Sequence, residues 1–551
     1  MKKFLTIVVL PALLLSAFLT ACNKPSQSGP TTLTIYCAAN LKKPVEAAAA
    51  EFKREFGTEV LLQFGGSGTL ISQLRVAKRG DLYLAADDGS MNDARKFELV
   101  RETLPVARQH PVIAVRAGNP KNIRAIADLL RADVKVALAN PEAASIGRVT
   151  KAVLSGVAAV GSGAGVPPVA AGVSPANTNT SATGTVAKTG GTPAPLPSLW
   201  SQLAAHAAVM KPTVTEIASD LSLGAVDAAI VYDSTVPQFK GLEKIEVPEF
   251  AKREEVASIA VLTFCQQPAA ALKFARYLAA PEKGGAIFKT NGFTPAGGDK
   301  WAAKPEMILY SGGVNRLAIE KSLRKFADRE GITVTTVFNG CGILCATMKT
   351  MGDASNPKFP DAYYACDLCF VPPVAEQFPE AVILTETDIG IAVKKGNPRN
   401  VRTLADLAQP NLKVGLCNAE QSTLGFMTRG MLKQVGLNDA IRKNVVVETP
   451  TADLLVTQMR AGALEAAIVY RVNAAPQAEH IEFFPIQHAG AKAIQPFAVR
   501  TSSPNARLAA RLLDFLKANR GDFEAAGFLW RGNEAPLKSK EIVVPEWLKD
   551  K

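Results

Sequence analysis

Short apolar runs alternate with amphipathic runs along most of this chain. Residues 34–37 and 59–64 have the composition of strands, and each is followed by a run with helical spacing, at 44–56 and 69–77. Within 45–56 the apolar side chains recur every three or four positions, which is the period of a helix with one buried face. Alternating strands and helices predict an α/β fold with a largely parallel sheet.

The same succession of segments occurs twice. The matching pairs are 33–36 with 307–310, 64–68 with 338–342, 81–87 with 361–367, and 228–232 with 466–470. A chain of 551 residues also exceeds what one hydrophobic core normally supports. We therefore predict two tandem copies of one domain type, at 32–305 and 306–531, followed by a polar C-terminal tail at 532–551.

One segment interrupts the repeat. Residues 157–197 consist almost wholly of Gly, Ala, Val, Pro, Ser, Thr and Asn, so they cannot bury enough apolar surface to offset the entropy of ordering. Matching positions are 280 apart before the segment (Ala86 and Cys366) and 238 apart after it (Tyr232 and Tyr470). The difference of 42 is close to the 41 residues of the segment. We expect a disordered surface insertion in the first copy.

The N-terminus has the features of an export signal. Two lysines precede an apolar stretch at 4–19 that is short for a membrane span. Residues 19–22, Leu-Thr-Ala-Cys, resemble a bacterial lipobox. The resemblance implies that 1–21 are removed as a lipoprotein signal peptide, that Cys22 is lipidated and that 22–31 form a flexible tether. An uncleaved anchor helix is the alternative, and both place the mature chain outside the cytoplasm beside a membrane.

Charge and motifs exclude several function classes. The net charge is +12, but the basic residues are scattered and no basic block is interleaved with aromatic residues, which argues against nucleic-acid binding. The chain has no Walker loop, no G-x-S-x-G and no paired-carboxylate motif. The histidines at 110, 206, 480 and 488 do not have metal-ligand spacing. We therefore predict a binding protein rather than an enzyme.

Two turns in the first copy are candidate anion sites. Ser67 and Gly68 stand between a predicted strand and a predicted helix, and residues 141–147 occupy a similar position. The first N–H groups of a helix have no intrahelical partner, and the helix dipole favours negative charge there. Two such N-termini facing one cleft could hold an oxyanion without a cation, with Tyr232 as a hydroxyl donor. A plain helix cap at Ser67 and a core role for Tyr232 are the alternatives.

In order and combination, these segments resemble the periplasmic molybdate-binding proteins, the substrate-binding components of ABC importers. The pieces that carry the resemblance are 38–41, 66–70, 81–87 and 224–232, and it spans about 32–294. It implies the type II periplasmic-binding-protein fold, with two α/β lobes in each copy, and a permease as partner. It also implies an oxyanion held by Asn40, Ser67, Ala86, Ile146, Val214 and Tyr232, several through backbone N–H groups.

One of these positions departs from the family. The family usually has Ser where this chain has Asn40, which brings more bulk and a different hydrogen-bonding pattern. The resemblance therefore leaves the oxyanion open among molybdate, tungstate, sulfate and related species.

The second copy keeps this frame and changes the pocket. At four of the matching positions it has Val314, Cys341, Cys366 and Tyr470. Cys345 and Cys369 extend these to a C-x-x-x-C and a C-x-x-C, and Cys417 lies near a further turn of the same cleft. If thiolates line this pocket, an oxyanion would be repelled there, and the two copies would bind different ligands.

Three interpretations of these cysteines stay open. They form disulfides, Cys341 with Cys366 or Cys366 with Cys369, which the compartment permits. They hold a soft metal such as Cu(I), Zn(II) or an iron–sulfur centre through Cys341, Cys345, Cys366 and Cys369. They are buried free thiols.

Two functional hypotheses follow from the sequence. The first is a lipid-anchored solute-binding protein that captures a small oxyanion for an ABC importer. The second is a redox or soft-metal-handling protein that acts through the cysteine-rich second copy.

Overall fold

The structure, a computed structural model, describes residues 32–157, 198–352 and 355–546. The predicted signal peptide, Cys22 and the tether therefore lie outside the described residues, as does nearly all of the predicted insertion. No helix within the described ranges is long and apolar enough to cross a membrane.

The first copy alternates strands with helices, as its sequence pattern predicts. Its strands are β1 (Thr32–Ala38), β2 (Glu59–Gly65), β3 (Leu82–Ala85), β4 (Val100–Gln109), β5 (Pro111–Arg116), β6 (Val136–Ala139), β7 (Val209–Lys211), β8 (Ala228–Tyr232), β9 (Leu242–Ile245), β10 (Glu255–Leu262) and β11 (Thr294–Pro295). Its helices are α1 (Lys42–Phe56), α2 (Ser67–Ala77), α3 (Asp88–Lys96), α4 (Ser145–Ser155), α5 (Leu199–His206), α6 (Val214–Ser222), α7 (Pro268–Ala279) and α8 (Ala286–Thr290).

The second copy repeats this succession. Its strands are β12 (Glu306–Gly312), β13 (Thr333–Asn339), β14 (Ala362–Tyr364), β15 (Glu380–Lys394), β16 (Val414–Cys417), β17 (Val445–Thr449), β18 (Ala466–Tyr470), β19 (Ile481–Pro485), β20 (Lys492–Val499), β21 (Leu529–Trp530) and β22 (Leu537–Lys538). Its helices are α9 (Arg316–Glu330), α10 (Cys341–Met351), α11 (Thr423–Gln434), α12 (Asn438–Arg442), α13 (Ala452–Arg460), α14 (Arg471–Ala474), α15 (Ala506–Ala518) and α16 (Arg520–Ala525).

The first helix of each copy shows why these residues fold as they do. In α1 the apolar side chains at helical spacing, Val45, Ala48 and Phe52 among them, are buried on one face. The helix ends at Gly57, whose φ of 68° is the left-handed conformation that glycine adopts without a steric penalty. Helix α9 has the same length of 15 residues and ends at Gly331 with a φ of 65°. The repeat therefore extends to the helix caps.

Each copy is divided into two lobes. In the first copy one sheet has the order β11-β4-β10-β3-β1-β2 and the other has the order β7-β6-β8-β5-β9. Strands β1, β2 and β3 pair in parallel, but β10 is antiparallel to β3 and β4. The sheets are mixed rather than largely parallel, because the chain crosses from one lobe to the other at His110 and returns to the first lobe at β10.

In the second copy the crossing is made by a single strand. Strand β15 is 15 residues long and pairs with β20 in one lobe and with β18 and β19 in the other, which joins both lobes into one sheet. Part of the predicted C-terminal tail also belongs to this domain. Strand β22 pairs with the start of β15, and Ser539 is fully buried.

A buried ion cluster joins the two copies. Arg276 of α7 in the first copy donates to a Glu330 carboxylate oxygen at 2.8 Å, and Arg511 of α15 donates to the other oxygen at 2.7 Å. Asp299, in the link between the copies, accepts the N–H groups of Arg507 and Leu508 at the start of α15. The two copies therefore pack directly against each other.

Candidate binding site

Four helix N-termini meet at one cavity between the lobes of the first copy. The cavity is lined by residues 38–40, 65–67, 144–146 and 213–214. A short 3₁₀-helix begins at Ala39, α2 begins at Ser67, α4 at Ser145 and α6 at Val214. No lining side chain is charged. The positive potential in the cavity therefore comes from backbone N–H groups and helix dipoles.

The two lobes touch each other at the rim of this cavity. The N–H groups of Gly68 and Thr69, on one lobe, donate to the carbonyl of Ala143 on the other, at 3.0 and 3.4 Å. A Cβ atom on Gly66 would lie 2.3 Å from that carbonyl oxygen, so this contact requires glycine. The remaining space is about 10 Å³, about enough for one water. The structure therefore shows a closed state, and a larger ligand needs the lobes to separate.

The structure brings the six predicted contact residues together. Asn40, Ser67, Ile146 and Val214 line the cavity. Ala86 and Tyr232 do not line the cavity, but each forms a hydrogen bond with a serine that does. The Ala86 N–H donates to Ser67 Oγ at 3.4 Å, and the Tyr232 hydroxyl donates to Ser145 Oγ at 3.2 Å.

Sequence reasoning missed the residue that organises the back of the site. Gln109, at the end of β4, is buried and donates from Nε2 to the Ala86 carbonyl at 2.8 Å. Its Oε1 accepts hydrogen bonds from Asn40 Nδ2 at 2.9 Å and from Ser234 Oγ at 2.7 Å. The side chain of Asn40 is therefore held by Gln109. In the sequence, Gln109 is distinguished only as a polar residue at the end of β4, just before β5 begins.

The ionisable groups around the site lie behind it or outside it. Arg148, in the first turn of α4, forms an ion pair with Asp93 and donates to Ser90 rather than entering the cavity. Burial raises the pKa of the Asp87 carboxyl, which caps α3. Burial likewise raises the pKa of the Tyr232 hydroxyl far above its ordinary value, so this hydroxyl stays protonated.

The second copy closes in the same way. A Cβ atom on Gly340 would lie 2.1 Å from the Gln421 carbonyl oxygen, and one on Gly342 would lie 2.1 Å from that of Glu420. Helices α10, α11 and α13 begin around this contact, as α2, α4 and α6 do in the first copy. The frame of the site is therefore duplicated together with the fold.

The thiols of Cys341 and Cys366 lie at the centre of the second site. Cys341 Sγ lies 3.1 Å from Cys366 Sγ, to which it donates, and it accepts the backbone N–H of Cys366, also at 3.1 Å. Burial raises the pKa of the Cys341 thiol, but these hydrogen bonds outweigh burial and leave the pKa below its ordinary value. The hydrogen bond with Cys341, together with burial, raises the pKa of the Cys366 thiol well above its ordinary value.

The other cysteines do not join this pair. Cys345 contacts the Tyr363 hydroxyl at 3.7 Å, and burial raises its pKa to about 12. Burial also raises the pKa of Cys369 and raises that of Cys417 to about 12. The described cysteines are all free, and no group of three or more metal-ligating side chains is placed to hold an ion in these ranges. The disulfides and the four-sulfur metal site are therefore not formed in this structure.

Val314 and Tyr470 complete the predicted second pocket. Val314 is buried at the position of Asn40, so the amide contact to a glutamine is lost. Gln495, on β20, takes over the role of Gln109 and donates to the Cys366 carbonyl at 3.0 Å. The buried Tyr470 hydroxyl has no hydrogen-bond partner, unlike that of Tyr232.

The family model for bacterial extracellular solute-binding proteins matches this chain twice, at residues 33–294 and 308–529. The chain belongs to this family. The tandem match confirms the prediction of two binding-protein domains, each with two α/β lobes. The chain is therefore an extracytoplasmic solute-binding protein, and a family of transport components accords with the expectation of a non-enzyme.

Curated relatives match about a fifth of this chain. The molybdate-binding protein ModA of Mycobacterium tuberculosis and that of Mycobacterium bovis are each 33% identical over 138 residues, which is 23% of this chain and 53% of the relative. ModA of Escherichia coli is 27% identical over 109 residues, or 19% of this chain and 42% of the relative. The chain thus spans about half the length of the curated relatives it matches.

Solved structures are also similar. The periplasmic molybdate-binding protein of Azotobacter vinelandii is 17% identical, with a TM-score of 0.34, and the match covers 48% of this chain and 98% of that one. The sulfate-binding protein SubI of Mycobacterium tuberculosis is 15% identical, with a TM-score of 0.38 and coverages of 56% and 94%.

Proposed function

We propose that the first domain captures a small, fully deprotonated oxyanion by closing its two lobes, and passes it to an ABC importer permease. The observation that carries this proposal is the uncharged cavity on which four helix N-termini converge. Orphan N–H groups at such N-termini are suited to bind anionic oxygens. Lobe closure is a hinge motion around the ligand.

The two serines of the cavity are oriented as donors. Ser67 Oγ already accepts from the Ala86 N–H, and Ser145 Oγ already accepts from the Tyr232 hydroxyl. Each serine therefore has its own proton left to donate toward the cavity. No lining residue offers a carboxylate acceptor. A carboxylate that could accept the proton of hydrogen phosphate is therefore missing from the lining, which favours fully deprotonated oxyanions.

The relatives support the ligand class and the partner. Three curated relatives are named molybdate-binding proteins, and the structural neighbours include molybdate- and sulfate-binding proteins. We extend this to a molybdate-like oxyanion for the present chain, with the six residues Asn40, Ser67, Ala86, Ile146, Val214 and Tyr232 forming or backing the site. We also propose that Cys22 carries the lipid that tethers the protein to the periplasmic face of a bacterial membrane.

The test is calorimetry on the full chain with molybdate, tungstate, sulfate, thiosulfate and phosphate. We expect one of the deprotonated anions to bind at micromolar or lower concentration, and phosphate to bind much more weakly. Ser67→Ala and Ser145→Ala should each weaken binding about tenfold or more, the usual value of a hydrogen bond to a charged group. Ser72→Ala is the matched control, because Ser72 lies exposed on the same helix as Ser67. The proposal fails if no anion binds, or if the serine variants bind like the wild type.

A further inference from the structure

The thiols of Cys341 and Cys366 form a buried, unbonded pair in the second domain. Their Sγ atoms are 3.1 Å apart, well beyond the length of a disulfide. Cys341 begins α10 and Cys366 follows β14, so both sulfurs belong to the same lobe. Both residues are at least 95% buried. The pair replaces Ser67 and Ala86 of the first domain, so it lies where that domain has its anion cavity.

Two hydroxyl groups of the opposite lobe face this pair and lack partners. Tyr470 is 3% exposed and Thr423 is fully buried, and neither hydroxyl has a partner within hydrogen-bonding geometry. Thr423 begins α11, two residues after the Gln421 carbonyl that Gly340 approaches. Burial raises the pKa of the Tyr470 hydroxyl well above its ordinary value, and the neighbouring Cys366 and Cys341 raise it further. A buried hydroxyl without a partner destabilises the fold. Two such groups around one point indicate a missing ligand.

The surroundings of the pair are nearly free of charge. The nearest carboxyl group, that of Asp367, accepts the backbone N–H groups of Cys369 and Ile494 at 2.9 and 2.8 Å. A small uncharged ligand that reacts with thiols and carries a hydroxyl group would satisfy every group at this site.

We propose that Cys341 and Cys366 bind a neutral trivalent oxyacid of a thiophilic element, of which arsenous acid is the representative. Two S–H bonds and two As–O bonds break, two As–S bonds form, and two molecules of water leave. No electron is transferred, so no oxidant or reductant is needed. The third hydroxyl stays on arsenic and hydrogen-bonds to Tyr470 and Thr423, which closes the lobes over the ligand.

The separation of the sulfurs favours this class over metal ions. Tetrahedral zinc, with bonds of about 2.3 Å, holds two sulfurs about 3.8 Å apart, and a linear two-coordinate ion holds them farther apart still. The lone pair of trivalent arsenic compresses its bond angles toward a right angle, which suits a closer pair. Within the described ranges no third ligand is placed to complete a metal site.

Access to the pair requires the lobes to separate. The contacts that close the second domain are the backbone approaches of Gly340 and Gly342 to Gln421 and Glu420. Beside these approaches, the Ile343 N–H donates to the Gln421 carbonyl at 3.4 Å, and the rings of Phe370 and Phe426 pack edge to face across the cleft. Opening the hinge breaks these contacts. This proposal does not depend on what the first domain binds.

The experiment uses the full chain, reduced and kept without oxygen, with sodium arsenite as the probe. Native mass spectrometry should show one arsenic retained per chain at micromolar arsenite. Arsenic K-edge absorption spectroscopy should show two sulfur neighbours and one oxygen neighbour. This spectroscopic measurement needs no variant, so it decides the coordination even where a substitution impairs folding.

Cysteine variants identify the sulfur atoms that bind arsenic. Cys341→Ser and Cys366→Ser should each lower arsenite affinity at least a hundredfold, and Tyr470→Phe should lower it several-fold without changing the sulfur count. Cys345→Ser, on the same helix as Cys341, and Cys37→Ser, in the first domain, are the matched controls and should bind like the wild type. Three sulfur neighbours, unchanged binding in a Cys341→Ser/Cys366→Ser double variant, no retention at millimolar arsenite, or tighter binding of Zn(II) or Cu(I) by the same pair would each overturn the proposal.

Discussion

Single hydrogen bonds decide which way the polar groups of the first site point. The Tyr232 hydroxyl does not reach the cavity itself but fixes the role of Ser145 by occupying its acceptor orbital. Gln109 likewise orients two groups, because it accepts a hydrogen bond from the Asn40 amide and donates one to the Ala86 carbonyl. The residues behind the cavity thus set the donor pattern that a ligand meets.

A prediction at this scale concerns Tyr232→Phe. Removing the hydroxyl frees Ser145 Oγ to rotate, so we expect oxyanion affinity to fall about tenfold, with a loss of about 1 kcal/mol of folding stability. Calorimetry and denaturant unfolding measure the two effects separately. Tyr277→Phe is the control, because its hydroxyl bonds to Glu51 far from the cavity. Equal affinity in Tyr232→Phe and the wild type would remove Tyr232 from the site.

The same scale shows what sequence reasoning about cysteines can and cannot give. The two positions exchanged between copies, Ser67 to Cys341 and Ala86 to Cys366, do meet in space. The C-x-x-x-C and C-x-x-C spacings suggested a larger cluster, but Cys345 and Cys369 turn to Phe370 and Asp367 instead. Spacing along a helix fixes a face, whereas the direction of each side chain depends on neighbours far away in sequence.

At the scale of elements, the residue at which a helix begins matters more for the binding site than the length of the helix. The pattern predicted a helix at 69–77, and the structure begins α2 two residues earlier, at Ser67. That shift places Ser67 in the first turn, where N–H groups are free to bind an anion. The helix begins there because Gly66 and Gly68 pack against backbone carbonyls of the other lobe, which no local pattern reveals.

Gly66→Ala tests the closure that these elements make. Its Cβ would lie 2.3 Å from the Ala143 oxygen, so the lobes cannot approach, and we expect oxyanion binding to fall at least tenfold while the fold is kept. Small-angle scattering should show no compaction on adding the anion. Gly156→Ala is the matched control, since the nearest atom to its Cβ is 3.8 Å away. Normal binding by Gly66→Ala would mean that the closed contact is dispensable.

At the scale of the whole molecule, the two domains are coupled through one buried carboxylate. Glu330 is 1% exposed and accepts hydrogen bonds from Arg276 and Arg511, which come from different domains. Removing one partner of such a buried cluster leaves uncompensated charge. This cluster, together with the ion pair between Arg329 of the second domain and Glu102 of the first, fixes how the two domains sit.

We expect Glu330→Gln to destabilise the protein by about 3–5 kcal/mol, because two buried guanidinium groups lose their counter-charge. Denaturant unfolding measures the change, and a second transition should appear as the domains unfold separately. Glu320→Gln is the control, since Glu320 pairs with Arg324 in solvent on the same helix. A change below about 1 kcal/mol in Glu330→Gln would show that the domains are held by other contacts.

The contribution of the Glu330 cluster to folding stability should decrease as the pH falls. Burial raises the pKa of Glu330, but the guanidinium groups of Arg511 and Arg276 outweigh burial and hold it below its ordinary value. The cluster therefore stabilises fully above the unfolded pKa of roughly 4.3, and its contribution is lost as pH falls through the folded pKa. The stability difference between wild type and Glu330→Gln should stay constant from about pH 6 to 8 and shrink below about pH 4. A difference that grew on acidification would contradict this assignment.

The sequence alone determined the class of fold, the duplication, and which short segments return in each copy, because repeated apolar spacing and glycine positions are local properties. Through a family resemblance it also predicted six contact residues, which the structure brings together at one cavity. Tertiary structure decided that Ala86 and Tyr232 back the cavity rather than line it, that Gln109 holds Asn40, and that two of the second domain's thiols pair while the others turn away. Those outcomes depend on contacts between lobes and strands that are distant in sequence, because such contacts determine the direction in which a buried side chain points.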